Sequence, residues 1–420
     1  MIRRPLRWCL APGHRSLVVI LAILVGSSFI AFGTGFWLLF RLSYVIALGV
    51  PISFLLAWYS SRGLEVRIER RSIRAQVGQE AQEVIEVRNR GVLPRLWMEV
   101  EDPSEMPGHH ARRVVIVPPR GLRNWVVDTP LTRRGVFSWG PATVRTTDPF
   151  GVFRRERRFG GKEEILVFPE VVDLPHFEVP PASLPGEGRF RRRTHQVTPN
   201  ASGVRDYAPG DSFNRIHWKT TARAGRPMVK TFELDPASDI WVVLDLEGRV
   251  QAGSGDESTE EYGVRVAASV VRHYLVQNRS VGLISFGEDL DIVEPERGPQ
   301  HLTRMLESLA TARAIGEAPL GNILLEEQRR FGRHTTLILV TASTDDEWLG
   351  QVLALTQRGV RIAVVLLDAG SFGSRRTPLL MFGELTASDI MTYVVGRGDD
   401  LSVALGPGKG ASARAASWQA

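Results

Sequence analysis

The chain opens with two long apolar runs. Leu17 to Phe40 contains no charged residue, Arg41 interrupts, and Leu42 to Tyr59 is again uncharged. A helix rises about 1.5 Å per residue and a bilayer core is about 30 Å thick, so each run is long enough to read as a membrane span. The pattern predicts a transmembrane helical hairpin over residues 17–59. Its reversal falls either at Gly33-Thr34-Gly35, where glycine relaxes the backbone, or at Arg41. In the first case Arg41 lies inside the second span and must reach an interface with its long side chain. A cleaved signal peptide fits less well, because the first run exceeds the usual apolar stretch and a second follows at once. Arg3, Arg4, Arg7 and Arg15 precede the pair and Arg62, Arg67, Arg70, Arg71 and Arg74 follow it. Basic flanks stay cytoplasmic, which predicts a cytoplasmic N-terminus over residues 1–16 and cytoplasmic domains after the hairpin.

Beyond the hairpin the period changes to two. Leu64, Val66 and Ile68 alternate with Glu65, Arg67 and Glu69; Ile73, Ala75 and Val77 repeat the pattern before Gly78. Ile85 and Val87, then Leu96, Met98 and Val100, continue it, followed by Val114–Val117, Trp125–Val127 and Ala142–Arg145. Short alternating runs separated by turn residues predict antiparallel strands, and this number of them predicts an all-β sandwich over residues 62–168. The stretch from Arg133-Arg134-Gly135 to Asp148-Pro149-Phe150-Gly151 reads as a rigid corner leading out of that domain, since proline fixes φ and glycine permits it to be positive.

Residues 169–202 are proline-rich and read as a linker, with Pro169, Pro175, Pro180, Pro181, Pro185 and Pro199. Continuous apolar runs return at Ile240–Leu246, Val281–Phe286, Thr335–Thr341, Val360–Leu367 and Met391–Val395, as in buried parallel strands. Between them Val264, Ala267, Val271, Tyr274 and Leu275 share one helical face, and Leu302, Met305, Leu306 and Leu309 another. Alternating strand and helix predicts a doubly wound α/β domain over residues 236–405. The Gly-, Ala- and Ser-rich tail, 406–420, reads as disordered.

Charge and composition alter this picture little. The 420 residues carry a formal charge of +6, and Cys9 is the single cysteine, which excludes an intramolecular disulfide. The excess is uneven: from Arg112 to Lys162 there are twelve basic residues against three acidic ones, and Arg189, Arg191, Arg192 and Arg193 follow. Such a face suits anionic lipid headgroups. It suits nucleic acid less, because no recognised nucleic-acid motif accompanies it.

The candidate chemistry lies in residues 203–235. Arg205, Arg215 and Arg223 are interspersed with Asp206, Asp211 and Glu233, with Tyr207, His217 and Trp218 among them and Pro209-Gly210-Asp211 as a turn. Guanidinium forks bond carboxylates, so the favoured reading is an ion-pair lattice that fixes a loop. A partner-binding surface comes next, and a hydrolytic site on Asp211 and His217 last, since one acid and one histidine fall short of a nucleophile, base and orienter.

The run Arg205, Tyr207, Pro209, Gly210, Asp211, Arg215, Ile216, Trp218, Ala222 and Arg223 resembles the hallmark of a bacterial family called domain of unknown function 58. Arg134-Gly135, Asp148-Pro149-Phe150-Gly151 and the layout of two spans, β domain, motif and α/β domain are similar to that family as well. The resemblance implies a von Willebrand A-like C-terminal domain and an association with MoxR-type AAA+ ATPases. Such domains often hold Mg²⁺ through Asp-x-Ser-x-Ser after the first strand. Here Asp245 takes the aspartate position, but Glu247 and Arg249 take the serine positions, which disfavours a metal. The crevice at the carboxyl ends of the strands remains the natural ligand site. No phosphate-cradling Gly-x-x-x-x-Gly-Lys-Ser/Thr loop is present, so the chain is not expected to be an ATPase. The expectation is a non-enzymatic membrane-anchored scaffold or adaptor acting in envelope maintenance, without a cofactor. The alternatives are the hydrolase and a basic surface binding anionic lipid or nucleic acid.

Overall fold

The computed structural model describes residues 15–60, 62–148, 151–177, 179, 201–208, 216–232, 239–287, 290–333 and 335–406. The chain forms two compact units, 1–170 and 171–420.

The first unit begins with helices α1 (Arg15–Thr34) and α2 (Trp37–Ser60), both long and apolar enough to cross a bilayer. The reversal falls at Gly35, whose φ of 67° and N–H bond to the Ala31 carbonyl close α1. Arg41 therefore lies within α2, its guanidinium 4.2 Å from the Trp37 ring centre. The helices meet through small residues: Ala31 and Ala57 are fully buried, and the Ser27 and Ser43 hydroxyls bond at 2.9 Å. Close approach through small side chains and a shared hydroxyl bond is how helices associate where water offers no hydrophobic drive. Phe29 and Phe32 point outward, each 81% exposed.

Ten strands follow: β1 (Leu64–Arg70), β2 (Arg74–Gln76), β3 (Glu80–Asn89), β4 (Arg95–Glu101), β5 (Arg113–Val117), β6 (Leu122–Pro130), β7 (Gly135–Trp139), β8 (Ala142–Thr147), β9 (Arg154–Phe159) and β10 (Glu163–Phe168). They pair in the orders β1-β3-β6, β2-β10-β7 and β5-β4-β8-β9. Ile85 and Val87 of the first sheet share a core with Met98, Val100 and Val144 of the third. Two expectations need correction. The sheets are not wholly antiparallel, because β2 runs parallel to β10. The segment from Arg133 to Phe153 is not an exit from the domain: it contains β7 and turns back into β9 and β10. The turn itself is tight, with the buried Asp148 carboxylate accepting the Phe153 N–H at 2.6 Å and Gly151 at φ 68°. β9 was illegible because five of its six residues are exposed, leaving no alternation to read.

The junction between α2 and the strands is held by Arg95. Its side chain is buried, yet its partners are neutral oxygens: Nη1 donates to the Tyr59 carbonyl, Nη2 to the Arg62 carbonyl at 2.7 Å and Nε to Asn89 Oδ1 at 3.1 Å. A cation at a helix C-terminus meets the negative end of the helix dipole and its unpaired carbonyls. The guanidinium also stacks 4.1 Å from the Tyr59 ring centre, while the Tyr59 hydroxyl accepts the Val92 N–H at 3.0 Å.

The second unit starts earlier than composition suggests. Leu174 and Phe177, inside the proline-rich stretch, are buried in the α/β core. β11 (Ala201–Asp206) and β12 (Met228–Phe232) form a separate antiparallel pair, with α3 (Trp218–Ala224) between them in sequence. Next come β13 (Ile240–Asp245), the short pair β14 (Gly253–Ser254) and β15 (Glu257–Ser258), α4 (Thr259–Val276), β16 (Val281–Phe286), β17 (Leu290–Glu296) and α5 (Pro299–Thr311). Then follow α6 (Leu320–Glu326), β18 (Thr336–Thr341), α7 (Glu347–Gln357), β19 (Arg361–Leu367), α8 (Leu379–Ala387), β20 (Met391–Val395) and α9 (Leu401–Ala404).

The main sheet has the order β17-β16-β13-β18-β19-β20. Its strands are parallel except β17, an antiparallel edge strand that the sequence reading missed because Pro295 and three acidic positions obscure it. β13 is buried on both faces: Val242 and Leu244 face a core with α4, α5 and α9, while Trp241 and Val243 face one with α6, α7 and α8. The C-terminal tail from residue 407 lies outside the described residues.

Arg95→Ala takes one donor from each of three acceptors, of which the Tyr59 carbonyl keeps the Arg62 N–H and Asn89 Oδ1 keeps the Gly91 N–H. The expected cost is about 1–3 kcal/mol, the range for leaving a buried neutral acceptor unsatisfied. It would be read as a lower melting temperature of the full chain in mild detergent. Arg95→Lys should recover only part, because an ammonium lacks the planar fork. An unchanged melt for Arg95→Ala would remove the junction's role.

Candidate functional site

In an open parallel sheet, ligands bind beyond the carboxyl ends of the strands where the strand order reverses. Here that point lies between β13 and β18. Around it the chain forms a cleft of about 620 Å³, lined by Glu247, Arg249, Ser343, Asp345 and Arg376, with the buried Val250 and Leu320 beneath.

A chain of hydrogen bonds ties the two strand ends together. Asp245 is fully buried; Oδ1 accepts the Glu247 N–H at 3.0 Å and Oδ2 accepts the Thr341 hydroxyl at 2.5 Å. Thr341 Oγ1 in turn accepts the Ser343 N–H at 2.8 Å, and Ser343 Oγ accepts the Asp345 N–H at 3.3 Å. Burial pushes the Asp245 carboxyl up to about 6, against the two hydrogen bonds that favour its charge; Glu247 and Asp345 push it further up. Glu247 is also buried, and its Oε1 accepts from Arg249 Nε at 2.9 Å and Nη2 at 2.7 Å. Arg376 lies beside them, its Nη1 3.4 Å from the Arg249 carbonyl.

The turn after β13 is held by the loop carrying Gly316. Gly248 donates to the Gly316 carbonyl at 2.9 Å and Gly316 to the Leu246 carbonyl at 3.1 Å. A Cβ on Gly316 would meet the Gly287 and Phe286 carbonyls at 2.8 and 2.9 Å, so the close approach of three backbones requires glycine.

The weak metal candidate does not suit a hard cation. Both Asp245 oxygens already accept hydrogen bonds, the Glu247 carboxylate is committed to Arg249, and that guanidinium brings positive charge where a cation would sit.

The motif region is less complete. Pro209, Gly210, Asp211, Arg215 and Glu233 lie outside the described residues, and of Arg205 only its place in β11, opposite Val229, is described. Tyr207 is half-buried, its N–H bonded to the Pro227 carbonyl at 3.0 Å. Trp218 and Arg223 are exposed on α3. His217 caps that helix: Nδ1 accepts the Thr220 N–H at 3.3 Å and lies 2.7 Å from the Thr220 hydroxyl. Its backbone N–H bonds the Met228 carbonyl at 2.8 Å, which ties the helix start to β12. Gly225 closes the helix at φ 65°. The described ion pair in this region joins Asp206 to Arg226 at 3.2 Å, an arginine outside the expected set. Both partners are more than half exposed, so the pair contributes little stability.

A second polar cluster escaped the sequence reading. Arg70, Glu83, Asp102 and His109 are buried together in the first unit. Arg70 Nη2 bonds Asp102 Oδ2 at 2.6 Å and Nη1 reaches Glu163 at 3.1 Å; His109 bonds the Asp102 carbonyl at 2.9 Å and the Thr129 hydroxyl at 2.8 Å. Burial first, then Asp102 beside it, pushes the Glu83 carboxyl up to about 8. The signal was present: Glu83 shares parity with Ile85 and Val87, and Arg70 with Leu64, Val66 and Ile68, so both occupy the inward face of their strands.

Residues 203–371 match the sequence profile of a family described as protein of unknown function DUF58, a span that holds both the motif and most of the α/β sheet. The chain is similar to the uncharacterized protein YeaD of Bacillus subtilis, 26% identical over 352 residues, covering 79% of this chain and 84% of that one. It is also 26% identical over 198 residues to an uncharacterized protein of Mycobacterium tuberculosis, covering 45% of this chain and 56% of that protein. Among solved structures, a CARDB domain from Pyrococcus furiosus is 14% identical and covers 25% of this chain and 91% of its own, at a TM-score of 0.19. Proximal thread matrix protein 1 of the mussel byssus is 13% identical, covering 31% and 38%, at 0.24. Likenesses this slight are no basis for a fold assignment.

The folded value of Asp245 stands above its ordinary 3.8, so its stabilising contribution is complete below pH 4 and is lost as pH rises through about 6. The gap corresponds to about 3 kcal/mol at neutral pH. Asp245→Asn, which stays neutral, should flatten this part of the profile. Hydrogen exchange at β13 and β18 between pH 4 and 7, corrected for its intrinsic pH dependence, reads the effect; an unaltered slope in the variant would assign it to another group.

Proposed function

We propose that this protein is a membrane-anchored scaffold that presents the carboxyl-end cleft of its α/β domain to a cytoplasmic protein partner, a MoxR-type AAA+ ATPase acting in envelope maintenance. The cleft carries the reading. Arg249, Arg376, Asp345, Asp346 and Glu347 give it an exposed rim of both signs, while Val250 and Leu320 beneath are buried in the core. A rim of mixed charge suits a partner of complementary charge, and arginine is favoured at protein interfaces. The buried groups behind the rim, Asp245, Thr341 and Glu247, bond one another and act as its frame. The strand order, with its antiparallel third strand, supports a von Willebrand A-like domain. The core shared between two sheets of the first unit supports a β-sandwich.

The anchor is α1 and α2 inserted as a hairpin with both chain ends cytoplasmic. Exposed phenylalanines on paired helices support insertion, since water penalises such surface. Arginines on either side of the hairpin support the orientation. Arg70 is discounted from that balance because Asp102 and Glu163 neutralise it.

Two measurements test these readings. A reporter that folds only in the cytoplasm, fused after Arg62 or at the C-terminus, should be active in both places; a periplasm-specific phosphatase active at either one overturns the topology. For the cleft, full-length protein in mild detergent should retain a purified MoxR-type ATPase from the same cell. Arg376→Glu combined with Asp346→Lys should weaken retention at least about tenfold, equivalent to about 1.4 kcal/mol, without lowering the melting temperature. Equal retention by the variant removes the cleft as the docking site.

A further inference from the structure

β9 is an edge strand, bonded to β8 on one side, and reads Arg154-Arg155-Glu156-Arg157-Arg158-Phe159. Charge on an edge has an ordinary explanation, protection against pairing with another chain. That explanation does not account for where this strand lies. Phe153, just before it, meets Phe54 of α2 edge-on at 5.5 Å, and the Arg155 guanidinium lies 5.7 Å from the same ring centre. The basic edge is thus held against the second apolar helix near its C-terminal end.

The depth of that contact follows from length. α2 has 24 residues, about 36 Å of helix against an apolar layer of about 30 Å. About one turn therefore extends into the headgroup layer. That last turn carries Trp58 and Tyr59, residue types that settle at this boundary, and Arg62 stacks 3.7 Å from the Trp58 ring centre. Phe54 is one turn deeper, so Arg155 beside it sits at the boundary between acyl chains and phosphates.

The two faces of β9 differ. On one, Arg154 reaches Glu99 at 3.5 Å, Arg158 reaches Glu156 at 3.8 Å, and Glu156 is taken by Arg145 at 3.2 Å. On the other are Arg155 and Arg157, which alternate with them. Both are exposed; the Arg157 guanidinium lies 5.2 Å from the Phe159 ring centre, and Arg155 has no carboxylate partner among the described residues.

We propose that Arg155 and Arg157 form a binding surface for the phosphate groups of anionic lipids, placed where the second span leaves the membrane. Two guanidinium forks at headgroup depth match phosphate oxygens in charge and geometry. The surface fixes how the sheets of the first unit stand on the bilayer. The proposal rests on α1 and α2 being membrane-inserted.

The test uses the full chain in nanodiscs of phosphatidylcholine alone or mixed with phosphatidylglycerol. Phosphatidylglycerol should slow hydrogen exchange across β9 severalfold and raise the melting temperature. Arg155→Gln with Arg157→Gln should melt like the wild type in phosphatidylcholine and lose the response to phosphatidylglycerol. Arg329→Gln with Arg333→Gln, equal in charge but in the other unit, should keep it. No response in the wild type, or equal loss in both double variants, overturns the proposal. Failure of the membrane reading looks different: the chain would stay soluble without detergent. Co-sedimentation with phosphatidylglycerol vesicles that depends on Arg155 and Arg157 would then still support the surface, and its absence would end both.

Discussion

The first unit depends on one buried cation that meets no carboxylate among the described residues. Arg95 leaves water without a carboxylate to meet it, and its charge is balanced by carbonyl dipoles at the end of α2 and by Asn89. Burial lowers its proton affinity, yet a guanidinium remains charged at any physiological pH. The arrangement works only if the helix ends where it does, so the end of α2 and the start of β4 are determined together. Asn89 is part of the same constraint: its amide donates to the Leu93 and Pro118 carbonyls, tying two loops to the junction.

The α/β unit is built on a different constraint, burial of the sheet on both faces. Parallel strands covered by helices become continuous apolar runs, and five of the six main strands stand out in the sequence for that reason. β17 does not, because one side of it is an edge and Pro295 breaks its run. In the first unit alternation reveals strands that have one wet face, such as β1 and β3. It fails for β9, which has almost no buried side chain, and for β7, where the apolar Val136 is exposed and the polar Ser138 is buried.

Candidate sites were legible to the degree that they were local. The crevice at the strand ends follows from topology, and Asp245 at its base follows from the position where the first strand stops. The pairing of Glu247 with Arg249 is a two-residue relationship that spacing alone leaves undecided. The link from Asp245 to Thr341 joins residues almost a hundred positions apart and becomes visible only when β13 and β18 are neighbours. His217 shows the reverse case: a residue type associated with catalysis serves as a helix cap, for which Thr220 three positions on was the cue.

Leu174 and Phe177 carry a consequence for the motif between the two halves of the chain. Phe177 packs in the same core as Ile240, with its ring 5.2 Å from that of Tyr393. Whatever path residues 178–239 take, both ends of that stretch are fastened to one body. Its segments are a closed excursion from the α/β domain, and closing such a loop costs entropy that grows only slowly with its length. A protease that cut the excursion once would leave the N-terminal piece still seated through Leu174 and Phe177, with the motif still covalently joined to β13 whenever the cut fell before it. The hallmark residues are leashed at both ends, and the fold confines where they can reach.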